Sequence, residues 1–144
     1  MTLSSTSDSR KTKKAIKLVL KELDMSLCCE LIRTREKPES FIVLNWIVDD
    51  DDFYIAHVMY RKKKKNWDTL LDLIPILGQA SEHYDFFGNG QSRPTDGMTK
   101  MESLLYHWQI GIDYLKREGI EINAAECYKY MLEQTTKWSK NESR

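Results

Sequence analysis

From Ile16 onward, apolar residues recur at helical spacing. Ile16, Leu20, Leu23, Leu27 and Leu31 fall three or four positions apart, on one face of an amphipathic helix that grows out of the Lys-rich stretch Lys11 to Lys21. This helix is predicted to end before Pro38, because a residue preceding proline is driven out of the helical region. The pattern then changes. Residues 41–48 and 53–60 are rich in β-branched and aromatic side chains, and Asp49, Asp50, Asp51 and Asp52 separate them. That arrangement predicts an antiparallel β-hairpin, with a four-residue acidic loop of a kind that a type I turn accepts. A pair of buried helices is the competing assignment, since short apolar runs are not resolved by periodicity alone.

Beyond the hairpin the helical period returns. A helix is predicted from Asn66 or Asp68, with Leu70, Ile74, Leu77, Tyr84 and Phe87 on one stripe and Gly88 as its stop. Pro75 and Gly78 lie inside it and predict a kink or a break near Pro75. Residues 88–97, with three glycines and a proline, read as a loop. Thr99 and Glu102 form a capping-box pattern ahead of Met101, Leu104, Leu105, Trp108, Ile112 and Leu115, an apolar face over four turns that Gly119 closes. Asn123 and Glu126 start a last helix, which is predicted to bury Tyr128, Met131, Leu132 and Trp138 and to return against its predecessor as a helical hairpin.

The fold class is therefore α+β and mostly helical: four helices with one β-hairpin over residues 41–60 packed against them, an all-α bundle being the alternative. Residues 1–9 are small and polar and read as a disordered tail, and residues 10–140 as a single globular domain. A chain of 144 residues is long enough to bury a core without covalent staples.

Composition changes this picture at one point. The formal net charge is zero, yet the charges lie in blocks. Residues 38–60 carry −5 and residues 61–67 carry +5, the latter through Arg61, Lys62, Lys63, Lys64 and Lys65. Like charges packed this closely repel one another, which suggests that the surface meets something charged. Three cysteines, two of them adjacent, do not form a disulfide framework and read as buried thiols in a reducing compartment. The start of the chain lacks the layout of a signal peptide, and no apolar run approaches the ~20 residues that span a bilayer. Cytoplasm or nucleus is the expected location.

Candidate chemistry is sparse. Residues 61–65 can neutralise phosphates, with Trp67 offering a base a stacking face; the plain alternative is a solvated strand-to-helix connection. Residues 49–52 supply hard oxygens but lack the spacing of a calcium loop, so they read as an exposed turn or as a mimic of a phosphate run for a basic partner. His57, His83 and His107 are scattered and show no metal-ligand spacing; no cofactor or metal is expected. Gly88, Gly90 and Ser92 match neither a phosphate loop nor a nucleophile elbow, and Arg93 is the one cation of that loop. Four tryptophans and seven tyrosines exceed what one small core takes up, and these are residues that dominate interfaces. The reading is a non-enzymatic interaction or regulatory protein that binds a protein partner, a second copy of the chain included, through residues 49–52, 61–65, Trp67 and Arg93. Its size fits a viral or host-interaction accessory factor as well as a cellular regulator. The alternative is an RNA- or DNA-binding protein using residues 61–65.

Overall fold

The computed structural model describes residues 2–35, 40–46, 54–86 and 94–142. Among them lie β1 (Thr2–Leu3), α1 (Ser9–Lys21), β2 (Glu30–Arg33), β3 (Phe41–Trp46), β4 (Tyr54–Tyr60), α2 (Asn66–Phe86), α3 (Lys100–Arg117), β5 (Glu121–Ile122) and α4 (Ala124–Glu142). This is a mostly helical α+β fold. The expected hairpin is present: β3 and β4 pair antiparallel from Phe41↔Met59 to Trp46↔Tyr54. Its connection, residues 47–53, lies outside the described residues.

The first helix departs from its expected length. Thr12, Ala15, Ile16 and Val19 turn inward, and the Asp8 carboxylate caps the start by accepting from the Arg10 N–H at 2.8 Å. The helix then widens into a π-helical turn, Glu22–Ser26, which buries Leu23. Cys28 adopts a left-handed backbone (φ 54), and the Cys29 N–H reaches back to the Leu23 carbonyl at 2.9 Å. A left-handed residue just past the last helical turn is a helix stop usually built on glycine. Because a cysteine fills the position, the apolar period in the sequence runs on to Leu31. Instead Glu30–Arg33 forms β2, paired parallel to β4 with Glu30 opposite His57, so β4 is the centre of a β2-β4-β3 sheet.

The tail expected to be disordered is ordered from Thr2. Leu3 is fully buried, β1 pairs parallel with β5, and the Asn123 N–H donates to the Leu3 carbonyl at 2.8 Å. One apolar residue in a polar stretch carries no periodic signal, but burying a leucine stabilises by about 2 kcal/mol.

α2 is the central helix. Trp67, Leu70, Leu71, Leu73, Ile74, Ile76, Leu77 and Ala80 are all buried, so its apolar surface is broader than the single stripe expected, with Asp68, Pro75 and Gln79 left on the more open side. The break expected at Pro75 does not occur; α2 runs unbroken from Asn66 to Phe86. Burial of these eight side chains offsets the roughly 3 kcal/mol that an interior proline costs. Tyr84, placed on the stripe by its spacing, is exposed, and Phe87 and Gly88 lie outside the described residues.

α2 and α3 cross at reciprocal glycines. A Cβ on Gly78 would lie 2.1 Å from the His107 carbonyl oxygen, and one on Gly111 would lie 2.4 Å from that of Ile74. The close crossing sets the buried face of α3 as Leu104, His107, Trp108, Gly111 and Leu115. Met101 and Leu105, expected in the core, are displaced into solvent. The Thr99–Glu102 capping box forms as expected, and Gly119 takes a positive φ of 82° at the helix end. On α4, Asn123 caps the Glu126 N–H at 3.0 Å, and the Tyr130 ring meets Trp108 edge-on at 5.9 Å. Here the buried residue is Cys127, while Tyr128 and Leu132, expected inside, are exposed.

Candidate functional site

The basic run leaves β4 and enters α2 on a backbone fixed at successive steps. The Thr34 N–H donates to the Tyr60 carbonyl at 2.8 Å, the Arg61 N–H to Ser40 Oγ at 2.9 Å, and the Lys63 N–H to Thr69 Oγ1 at 2.8 Å. The buried carboxylate of Asp72 holds Ser40 in turn, accepting its N–H at 2.7 Å. Lys62, Lys64 and Lys65 are exposed, and Arg61 and Lys63 are half-buried. Among the described residues no acid lies within ion-pair distance of these five. The cations therefore form a positioned ridge, not a loose linker.

The other predicted site residues fare differently. Trp67 is only 9% exposed and belongs to the core, which corrects the expectation of an open stacking face. The indole packs inward because it sits in the first turn of the central helix, on the side that joins the core. Asp49, Asp50, Asp51, Asp52 and Arg93 lie outside the described residues. The strand that leads into the basic run, β4, is in place.

A cavity of about 390 Å³ opens beside Lys64 and Lys65, where the start of α1 meets the start of α2. Asn66 joins the two, donating from Nδ2 to Ser9 Oγ at 2.8 Å. Nothing in the local sequence brings the Ser5–Thr12 region to this place; the only signal is that α2 begins directly after lysines.

A second arrangement is also invisible in the sequence. His107 Nε2 lies 3.5 Å from Glu82 Oε1, both side chains being nearly buried, and Thr95 donates to the same oxygen at 2.8 Å. That separation allows electrostatic attraction but is long for a hydrogen bond. Burial holds His107 below its ordinary value of 6.5, and Glu82 opposes that shift without cancelling it. His107 lines a cavity of about 320 Å³ with Ser103, Lys100 and Gln79. His57 is elsewhere, 3.1 Å from Glu30 across the β2–β4 ladder. Among the described residues no group of three or more His, Cys, Asp or Glu is placed to hold a metal ion.

The thiols divide. Burial raises Cys29 to about 11 and Cys127 to about 12, so both stay protonated and unreactive. Cys28, expected to be buried, is exposed. Large apolar side chains also reach solvent on the outer helices: Met101 (38%) and Leu105 (41%) on α3, Tyr128 (57%) and Leu132 (40%) on α4. Each pair is spaced i, i+4, which places its members one above the other on one helix face. Among the described residues no helix is long and apolar enough to cross a membrane. No protein family matches this chain, and no curated protein or solved structure shows detectable similarity to it.

Proposed function

We propose that this protein is a non-enzymatic regulator of the cytoplasm or nucleus that binds an acidic protein partner. The observation that carries this reading is the exposure of large apolar residues at helical spacing, Met101 with Leu105 and Tyr128 with Leu132, on helices that already bury other residues, Leu104, Trp108 and Leu115 on α3 and Cys127 on α4. Aromatic and aliphatic anchors of this kind supply affinity at protein interfaces. Lys62, Lys64 and Lys65 select the sign of the partner and steer its approach, since no acid among the described residues neutralises them. With Trp67 buried, the stacking face expected beside this ridge is closed to single-stranded bases, which makes nucleic acid the weaker reading.

The test is affinity purification with and without nuclease, using the wild type, Tyr128→Ser/Leu132→Ser and Lys62→Glu/Lys64→Glu/Lys65→Glu. A partner that survives nuclease, is lost with the helix variant and associates more slowly with the lysine variant or in high salt is the expected result. Loss of all partners on nuclease treatment, together with a low-salt gel shift on RNA or DNA, would replace this reading with nucleic-acid binding.

A further inference from the structure

His107 stands where α2 and α3 touch most closely. Gly78 and Glu82 are one turn apart on a face of α2, and a Cβ on Gly78 would lie 2.5 Å from the His107 Cα, so the His107 backbone is fixed there. From this anchor the ring reaches Glu82, with Nε2 3.5 Å from Oε1 and the two side chains only 10% and 5% exposed. Oε1 accepts from the Thr95 hydroxyl at 2.8 Å, but Glu82 Oε2 and His107 Nε2 are buried without a hydrogen-bond partner among the described residues. Leaving such atoms unpaired is costly, and here both belong to one titratable pair. A proton on the ring would turn the contact into a charge-assisted bond, yet burial favours the neutral ring against the pull of Glu82. A second anion, placed in the cavity that the ring lines, would tip that balance.

That cavity, about 320 Å³, is at the small end of ligand sites. Its wall combines His107, Gln79, Ser103 and Lys100 with the apolar Leu104 and Met98. Ser103 is one turn before His107, which sets both on one side of α3. Gln79, Ser103 and Lys100 can all donate hydrogen bonds, and no acid lines the cavity among the described residues. Lys100 interacts elsewhere in the chain too, so its role here is that of a nearby positive charge. Donors and positive charge beside apolar side chains fit an anion carried on an apolar body.

We infer that this cavity binds a small organic carboxylate, with its oxygens on His107, Ser103 and Gln79 and its apolar body against Leu104 and Met98. The site goes beyond the protein-docking surface proposed above and uses none of its residues. Binding is coupled to proton uptake. Glu82 from α2 and the ligand from the cavity hold the imidazolium between two carboxylates, Lys100 on α3 opposes the added proton, and the Tyr106 ring stands edge-on at 5.8 Å. The free protein carries a neutral His107 above its lowered value, so affinity rises as pH falls toward that value, by up to about tenfold per pH unit for one proton.

The experiment titrates hexanoate, hexanol and hexylammonium into the full chain and follows the His107 ring and the backbone amides by NMR. Saturable shifts at His107, Ser103 and Leu104 are expected with hexanoate and none with hexylammonium, and hexanoate should bind severalfold tighter at about pH 6.5 than at about pH 7.5. Ser103→Ala, a small change at a half-buried position, should weaken hexanoate about fivefold. Glu82→Gln should weaken it as well and flatten its pH dependence. Equal affinity for hexanoate and hexanol overturns the carboxylate assignment. Absence of saturable shifts with all three probes shows that water alone occupies the cavity and overturns the site. Tyr128→Ser/Leu132→Ser should leave the hexanoate shifts in place whether or not it loses the protein partner, which keeps the outcome for this cavity distinct from that for the docking surface.

Discussion

At the scale of single residues, backbone geometry and burial decide what a side chain can do. Cys28 stands where a helix stop asks for glycine, at φ 54, and so the sequence conceals the end of the first helix. His107 is the residue with the clearest acid–base consequence. Its native value is held below the ordinary 6.5 by burial, with Glu82 pulling the other way. A histidine of this kind takes up its proton more readily in the unfolded chain. Its contribution to stability is therefore complete above about pH 6.5 and is lost as pH falls through the lowered native value. Thermal unfolding measured from pH 7.5 to 5.5 should show the wild type losing stability on acidification. His107→Gln should lose less, and equal slopes for the two proteins would refute this assignment.

At the scale of elements, local signals fared best where chemistry is written into adjacent residues. The Thr99–Glu102 capping box, the Asn123 cap and the Gly119 stop form where expected, because each is a bond between neighbours in the chain. Which face of a helix turns inward was harder to read. Leu105 fits an apolar stripe as well as Leu104 does, and only the crossing of α2 with α3 chooses between them. Gly78 and Gly111 set that crossing. Gly111→Ala would drive a methyl into the Ile74 carbonyl, so the helices must separate. A destabilisation of about 3 kcal/mol is expected from chemical denaturation, at the upper end of overpacking effects, while Gly97→Ala, where a Cβ meets no atom within 4 Å, should cost no more than the strain of its positive φ.

At the scale of the whole molecule, long-range pairings complete the fold. β1 is two residues long, yet it joins the chain's start to the α3–α4 connection through β5, and the Glu126 carboxylate takes both the Ser5 N–H (2.7 Å) and hydroxyl (2.6 Å). Leu3→Ala should therefore cost about 3 kcal/mol, as at any buried leucine, although a sequence profile places it in a tail. A loss below 0.5 kcal/mol by denaturant titration would show that the start of the chain contributes nothing to the core. The same end of the chain meets the start of α2, where Asn66 Nδ2 donates to Ser9 Oγ at 2.8 Å.

The sequence by itself determined the helix-rich class, the antiparallel hairpin of β3 and β4, the caps and the exposed basic run. These depend on periodicity, on neighbouring residues, or on charges too costly to bury. It could not reveal the parallel pairings β1–β5 and β2–β4, the inward packing of Trp67, the His107–Glu82 pair or the placement of Thr12 beside Lys65. Each of those joins residues remote in the chain, whose approach follows from the global packing around α2. Local preference carries no information about such encounters, because the free energy that fixes them is gained only when the whole core closes.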